Sequence, residues 1–495
     1  MEQLVSTVAL VGGVIIIASL LSGAVESSGV PLVATFLALG LLLGPHVLGV
    51  ADIGLASPQL ATLATLGLTL VLFSDAVALE LPEVRRRARL TWRLLGPGTL
   101  AVAVVVAAAA WLLLGVSPAA AALLGAALAA TDPVLLRSAM RSRDLPESTR
   151  MALRLETGMN DVVVLPIVIF SILALRGGAE GAPTTGEVLR HALGLLLLGP
   201  AAGAAIGSVG ILALKVVRGR FGVRRDYESL YALGLAFTAY AAAEALGGSG
   251  FLAAFAAGLT VAWQDVELCD CFLEYGEATA EMLLLLTFVA LGLSLIWTGL
   301  GEIDGRTLLF AGVALFARTL TLLPLLRGVG LDTHERRLIA LFGPRGLSSL
   351  LYVLLAVFAG VDGAARLFTV TCLVVLLSIA VHGGGMALFL RARRAAAAGT
   401  PTTASEPVAV DALTPLTAES TPPAPEIPEQ IGLAELRELQ SRGERVTMID
   451  ARTDRSYRAE PRQATGAVRL PPSDPVRAAT ELRLTRQGTL VVYCA

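Results

Sequence analysis

Residues 118–140 read PAAAALLGAALAATDPVLLRSAM, an Ala/Leu run with Thr131-Asp132-Pro133 in its interior. A helix that crosses the ~30 Å hydrocarbon core of a bilayer needs about 20 apolar residues, so the run is long enough to span. Pro133 removes a backbone donor and crowds the preceding turn, which predicts a helix kinked or unwound at Thr131 and Asp132. Unwinding frees backbone carbonyls, and with a hydroxyl and a carboxylate these make suitable ligands for a hard cation. The plainer alternative is a proline kink with Asp132 at a helix end on the cytoplasmic side.

Outward from this run, the sequence divides into about thirteen apolar segments, near 4–24, 31–48, 57–79, 94–115, 118–140, 151–175, 189–213, 228–246, 249–264, 281–299, 307–326, 337–359 and 366–390. The chain of 495 residues is 55% hydrophobic and only 16% charged, with a mean hydropathy of +0.73. Soluble chains carry about 25% charged residues, so an ordinary cytosolic enzyme is excluded. The net charge of −2 argues against a nucleic-acid binder, which is normally basic. The expected fold class is an all-α polytopic membrane protein with a small α/β tail. Arginines cluster after segments three (Arg85 to Arg93), five (Arg137 to Arg150), seven (Lys215 to Arg225), eleven (Arg327, Arg336, Arg337) and thirteen (Arg391 to Arg394). Because basic loops favour the cytoplasm, this odd-numbered pattern predicts an outside N-terminus and a cytoplasmic C-terminus. Met1-Glu2-Gln3 lacks the basic start of a cleavable signal peptide. Four scattered histidines and four cysteines form neither a metal cluster nor a disulfide framework, so no cofactor is expected.

Ionisable side chains inside membrane helices are costly and mark functional sites by default. Besides Thr131 and Asp132, three places carry them: Asp75 in segment three, Glu156-Thr157-Gly158-Met159-Asn160-Asp161 in segment six, and Gly343-Pro344-Arg345-Gly346 in segment twelve. Glu156 and Asn160 share a helix face, with Asp161 offset by about 100°. The alternatives are a solvated pair at a helix end and an Arg345 that snorkels to an interface. A buried Arg345 needs an anion, and Glu156 or Asp132 is the expected partner. Segments five and twelve are seven apart, so two halves of six segments would lie inverted in the membrane, each with an interrupted helix. That is the pattern of a secondary transporter with its site near the midplane.

These residues, with Phe73-Ser74-Asp75-Ala76 and the run from Gly248 to Gly258, give a chain that resembles the cation:proton antiporter family, in its electroneutral NhaP-like branch, over roughly residues 5 to 392. The resemblance implies a homodimer in which a core of crossed broken helices moves against a dimerisation domain. It implies that Asp161 binds the ion and carries the proton, with Thr131, Thr157 and Asp75 as further ligands of Na⁺, K⁺ or Li⁺. Asp132, also counted among the ion-binding residues, would organise the helix crossing together with Asn160. Glu156 and Arg345 would be the buried ion pair. Electrogenic relatives carry two adjacent aspartates and usually a core lysine. Here the first position is Asn160 and the single lysine, Lys215, lies in a basic loop, which points to one proton per cation. A bare buried carboxylate is costly, so H⁺ and Na⁺ compete for Asp161, and exchange follows if the site crosses only when occupied.

The first domain is expected over 1–394 and a flexible Pro/Thr/Ala-rich linker over 395–430. Residues 431–495 resemble the start of a cytoplasmic rhodanese-like domain through Ile449-Asp450-Ala451-Arg452, Thr465 to Pro471 and a strand that ends at Cys494. The family's sulfur-carrying cysteine would be Cys494. Its loop and the final helices are not in the sequence, which ends at Ala495, so a truncated domain without sulfurtransferase activity is expected. Two further readings stay open: a membrane-anchored sulfurtransferase, and a transporter-like ion sensor that signals through the tail.

Overall fold

The structure is a computed structural model that describes, in the main, residues 32–50, 52–79, 81–132, 145–176, 194–221, 225–264 and 270–385, with shorter stretches near the N-terminus and around three strands of the tail. The chain divides into two compact units, Met1–Ala398 and Gly399–Ala495. The linker, Pro133, Cys494 and most of the first apolar segment lie outside the described residues.

The first unit is helical. Its helices are α1 (Leu32–Leu43), α2 (Pro58–Val77), α3 (Ala88–Leu114), α4 (Pro118–Ala129), α5 (Glu147–Arg176), α6 (Gly194–Phe221), α7 (Arg225–Ala245), α8 (Gly250–Trp263) and α9 (Asp270–Leu293). There follow α10 (Gly305–Leu325), α11 (Thr333–Leu341), α12 (Leu347–Phe358) and α13 (Ala364–Gly383). Six are long and apolar enough to cross a membrane, or seven if α9 and the bent helix Leu295–Glu302 after it form one span. That count is of the described residues alone. The shorter apolar helices, among them α1, α4, α8 and α12, fall at expected segments.

Small residues set how closely these helices pack. Gly199, Gly203 and Gly207 of α6 recur every four residues and face the backbone of Ser249, Ala253 and Ala257 along α8. In lipid, where no hydrophobic effect drives helices together, such close backbone approach supplies the packing energy. The α2 helix packs on α8 and α9, and α4 packs on α3, α5 and α12. The basic loops expected after segments three and eleven also meet: the Arg93 guanidinium donates to the carbonyls of Leu325 and Arg327.

The described part of the second unit is a parallel sheet of β1 (Val446–Asp450), β2 (Val468–Arg469) and β3 (Thr489–Tyr493), in the order β2-β1-β3. Central strand β1 ends in a buried ion pair. The Arg452 guanidinium donates from Nε to Asp450 Oδ1 at 2.9 Å and from Nη2 to Oδ2 at 2.6 Å. These hydrogen bonds hold the Asp450 carboxyl at about 2, below the usual carboxylate range.

Candidate functional site

Ser117 caps α4, its hydroxyl accepting from Ala120 N, with Pro118 at the first helical position. The helix stops at Ala129: Ala130 is extended, and Thr131 and Asp132 are not helical. A second interruption lies opposite, where residues 342–346 separate α11 from α12. The two breaks are joined directly, since Asp132 N donates to Pro344 O at 3.1 Å.

Each interruption leaves orphaned carbonyls where one half-helix ends and orphaned amides where the next begins, carrying the partial charges of the helix dipole. The side chains answer those charges by sign. Asp132 Oδ2 accepts from Leu347 N at 2.6 Å, at the start of α12. Its Oδ1 accepts from Leu135 N at 3.1 Å, just beyond the break in the fifth segment. At the opposite ends of the half-helices, Arg345 Nη1 donates to the carbonyls of Ala129 and Ala130 at 2.9 and 3.1 Å. Arg318 Nη1 donates to the carbonyls of Ile339 and Ala340 at the end of α11. The Arg345 amide is held by the Ser378 hydroxyl at 2.7 Å, and that hydroxyl also meets His382 Nδ1 at 3.3 Å.

The expected Glu156–Arg345 pair is replaced by another. Glu156 pairs with Arg318 of α10 through both carboxylate oxygens, with Arg318 Nε to Oε1 at 3.0 Å and Nη2 to Oε2 closing the fork. The physical reason is geometric: Arg345 is committed to the end of α4, whereas Arg318 reaches Glu156 and the end of α11 at once. The Gly-Pro-Arg-Gly motif makes this possible. A Cβ on Gly343 would collide with the Arg318 side chain, and one on Gly346 with the Asp132 carboxylate.

Around the crossing, Asn160 Nδ2 donates to Thr131 Oγ1 at 3.0 Å and contacts Thr131 O at 3.4 Å. Asp161, the next residue, is buried, and its Oδ1 has no hydrogen-bond partner. The fully buried Tyr352 hydroxyl lies beside Asp161 and within electrostatic reach of Asp75. The hydroxyl of Thr157 donates to the Leu153 carbonyl of its own helix at 3.0 Å, leaving its lone pairs free to accept. Asp75 lies on α2, its carbonyl 3.9 Å from where a Cβ on Gly158 would stand. The structure thus gathers Thr131, Asp132, Asn160, Asp161 and Arg345 at one crossing and sets Glu156 in a separate pair. Cys494 belongs to the second unit. Sequence reasoning missed Arg318, Tyr352, Ser378 and His382. Arg318 had a legible signal, as the one charged residue deep inside an otherwise apolar span.

Two interrupted helices that cross at a cluster of buried charges, inside a bundle of apolar helices, define a polytopic transporter of the broken-helix type. The chain matches the family described as sodium/hydrogen exchanger, transmembrane, over residues 13–392, and belongs to it. It is therefore a multi-pass membrane protein of a transporter family rather than an enzyme. It is similar to the Na(+)/H(+) antiporter 2 of Zygosaccharomyces rouxii, 27% identical over 402 residues that cover 72% of this chain and 48% of that protein. It is also similar to the K(+)/H(+) antiporter NhaP of Alkalimonas amylolytica, 28% identical over 383 residues, covering 76% of this chain and 64% of the relative. The chain thus spans about half to two thirds of the length of these relatives. The structure of the sodium proton antiporter MjNhaP1 from Methanocaldococcus jannaschii shares the fold. Its TM-score is 0.61 at 22% identity, covering 78% of this chain and all of that one.

Proposed function

We propose that the first unit exchanges a monovalent cation, Na⁺ or K⁺, for H⁺ by alternating access, with Asp161 as the shared site. The observation that carries this is the balance of charge at the crossing. Asp132 and Glu156 are offset in charge by Arg318 and Arg345, and each of these four groups makes a hydrogen bond to a helix end or to its partner, Arg345 through Nη1 alone. Asp161 is the buried carboxylate left over, with an oxygen facing no donor. A bare anion in so apolar a place is costly, so it takes either a proton or a cation, and the two exclude one another. Thr131, Thr157 and Asp75 supply further oxygens, while Asp132 and Asn160 hold the geometry. Asn160, in place of a second aspartate beside Asp161, favours one proton per cation and an electroneutral cycle. The names of the relatives support both Na⁺ and K⁺ as cargo and do not discriminate between them.

The exchanger works in the cell membrane as a homodimer, with its basic loops and tail on the cytoplasmic side. The tail is part of a rhodanese-like domain over 431–495, a reading supported by the parallel order β2-β1-β3 and by the Asp450–Arg452 pair at the end of β1. In everted vesicles with an imposed pH gradient, addition of Na⁺ or K⁺ should dissipate the gradient. Asp161→Asn should abolish this without loss of folded protein, and cation-driven proton flux that survives the substitution would falsify the assignment. Insensitivity of the rate to a valinomycin-clamped potential should mark electroneutrality, with Li⁺ added where K⁺ clamps the potential.

A further inference from the structure

Away from the helix crossing, a cavity of about 410 Å³ opens where the start of α3 meets the loop between α10 and α11. One wall carries Arg86, Arg87 and Arg89, and the other carries Val329, Gly330 and Leu331. Glu335 and Ser148 complete it, hydrogen-bonded to each other, so the start of α5 is tied to the start of α11 at the cavity's edge. The lining carries three guanidinium groups against one carboxylate, and that carboxylate is already engaged by the Ser148 hydroxyl and the Asp332 amide. Glu83 lies outside the lining and holds Arg87 at 2.6 Å and Arg86 at 3.8 Å, which orients the two arginines without filling the space between the walls. The Arg86 side chain is 77% exposed.

The floor is apolar. Leu90 is buried in a cluster with Leu94, Leu322, Leu326 and Ile339, against which Val329 and Leu331 pack. Two residues beyond Leu90, Trp92 is 71% exposed at the end of an apolar span, as expected for an indole at the bilayer interface. The cavity therefore joins a positively charged rim to a greasy floor at headgroup depth.

We propose that this cavity binds a phosphate group, and that the group is the headgroup of an anionic phospholipid whose acyl chain covers the Leu90–Leu331 floor. Arginine forks match phosphate oxygens in shape as well as charge, and basic pockets between membrane helices take anionic headgroups. A soluble phosphate would satisfy the arginines but leave the floor wet. The inference does not depend on which ions the protein exchanges, because its test reads bound lipid.

The full chain, purified from a membrane that contains phosphatidylglycerol and moved into phosphatidylcholine nanodiscs, is assayed for retained phosphatidylglycerol by native mass spectrometry. Wild type should retain it, and R86Q/R89Q should bind it more weakly by roughly thirtyfold. R218Q/R220Q, which removes the same charge from the exposed end of α6, should behave as wild type. Equal retention in all three proteins, or equal loss in both variants, would overturn the site. Glycerol phosphate added to the phosphatidylcholine discs separates the two sources. Arginine-dependent binding of glycerol phosphate without retention of phosphatidylglycerol would overturn the lipid assignment.

Discussion

Removing one partner of the Arg318–Glu156 pair leaves a full charge in an apolar interior, whereas removing both leaves none. Arg318→Gln should therefore lower stability by about 3–5 kcal/mol, and Arg318→Gln combined with Glu156→Gln should cost far less than the sum of the single changes. Thermal midpoints in detergent check this, and strict additivity would mean that the two side chains do not interact. The candidate site was legible in the sequence to the extent that charge inside a span is expensive: Asp132, Glu156, Asp161 and Arg345 were visible for that reason, and Asn160 as the neighbour of Asp161. What the sequence could not supply was the pairing. Glu156 and Arg318 are 162 residues apart, and nothing local distinguishes Arg318 from Arg345 as the partner. Tyr352 and Ser378 gave no signal, since a hydroxyl in an apolar helix can bond to its own backbone.

At the level of elements, the breaks were readable from Pro133 and from the Gly-Pro-Arg-Gly stretch, because proline and glycine act locally. Where each half-helix ends was not, because hydropathy measures how apolar a run is and not whether the chain stays helical through it. The segments at 118–140 and 337–359 were expected to be interrupted, and their helices α4 and α12 are 12 residues each, ending before Thr131 and beginning after Gly346. The close approaches at the second break give a sharp prediction. Gly346→Ala places a methyl group on the Asp132 carboxylate, so it should abolish exchange and lower the thermal midpoint. Gly312→Ala in α10, where a Cβ meets nothing within 4 Å, should leave both unchanged. Asp132→Asn keeps the size but gives up the charge that faces the start of α12 and the Leu135 amide, at about 0.5–2 kcal/mol for the weakened cap. It should lower stability while retaining some flux, in contrast to the complete loss expected of Asp161→Asn.

At the scale of the whole molecule, the two units should respond differently to acid. Asp450 is held at about 2 by Arg452, below the ~3.9 of an unfolded aspartate. The stability this contributes is fully present above about pH 4 and is lost as the pH falls through about 2. Hydrogen exchange of the full chain should show β1 protection fading across that window, and Arg452→Gln should start the loss at higher pH. Protection that persists unchanged to pH 2 would mean the pair does not hold the strand. In the membrane unit, one carboxylate holds two stretches from different parts of the chain: Asp132 accepts from Leu135 N on one side and from Leu347 N, at the start of α12, on the other. The consequence is mechanical. Two stretches seated on a single pin cannot be tilted one at a time, so any movement of one interruption has to carry the other with it.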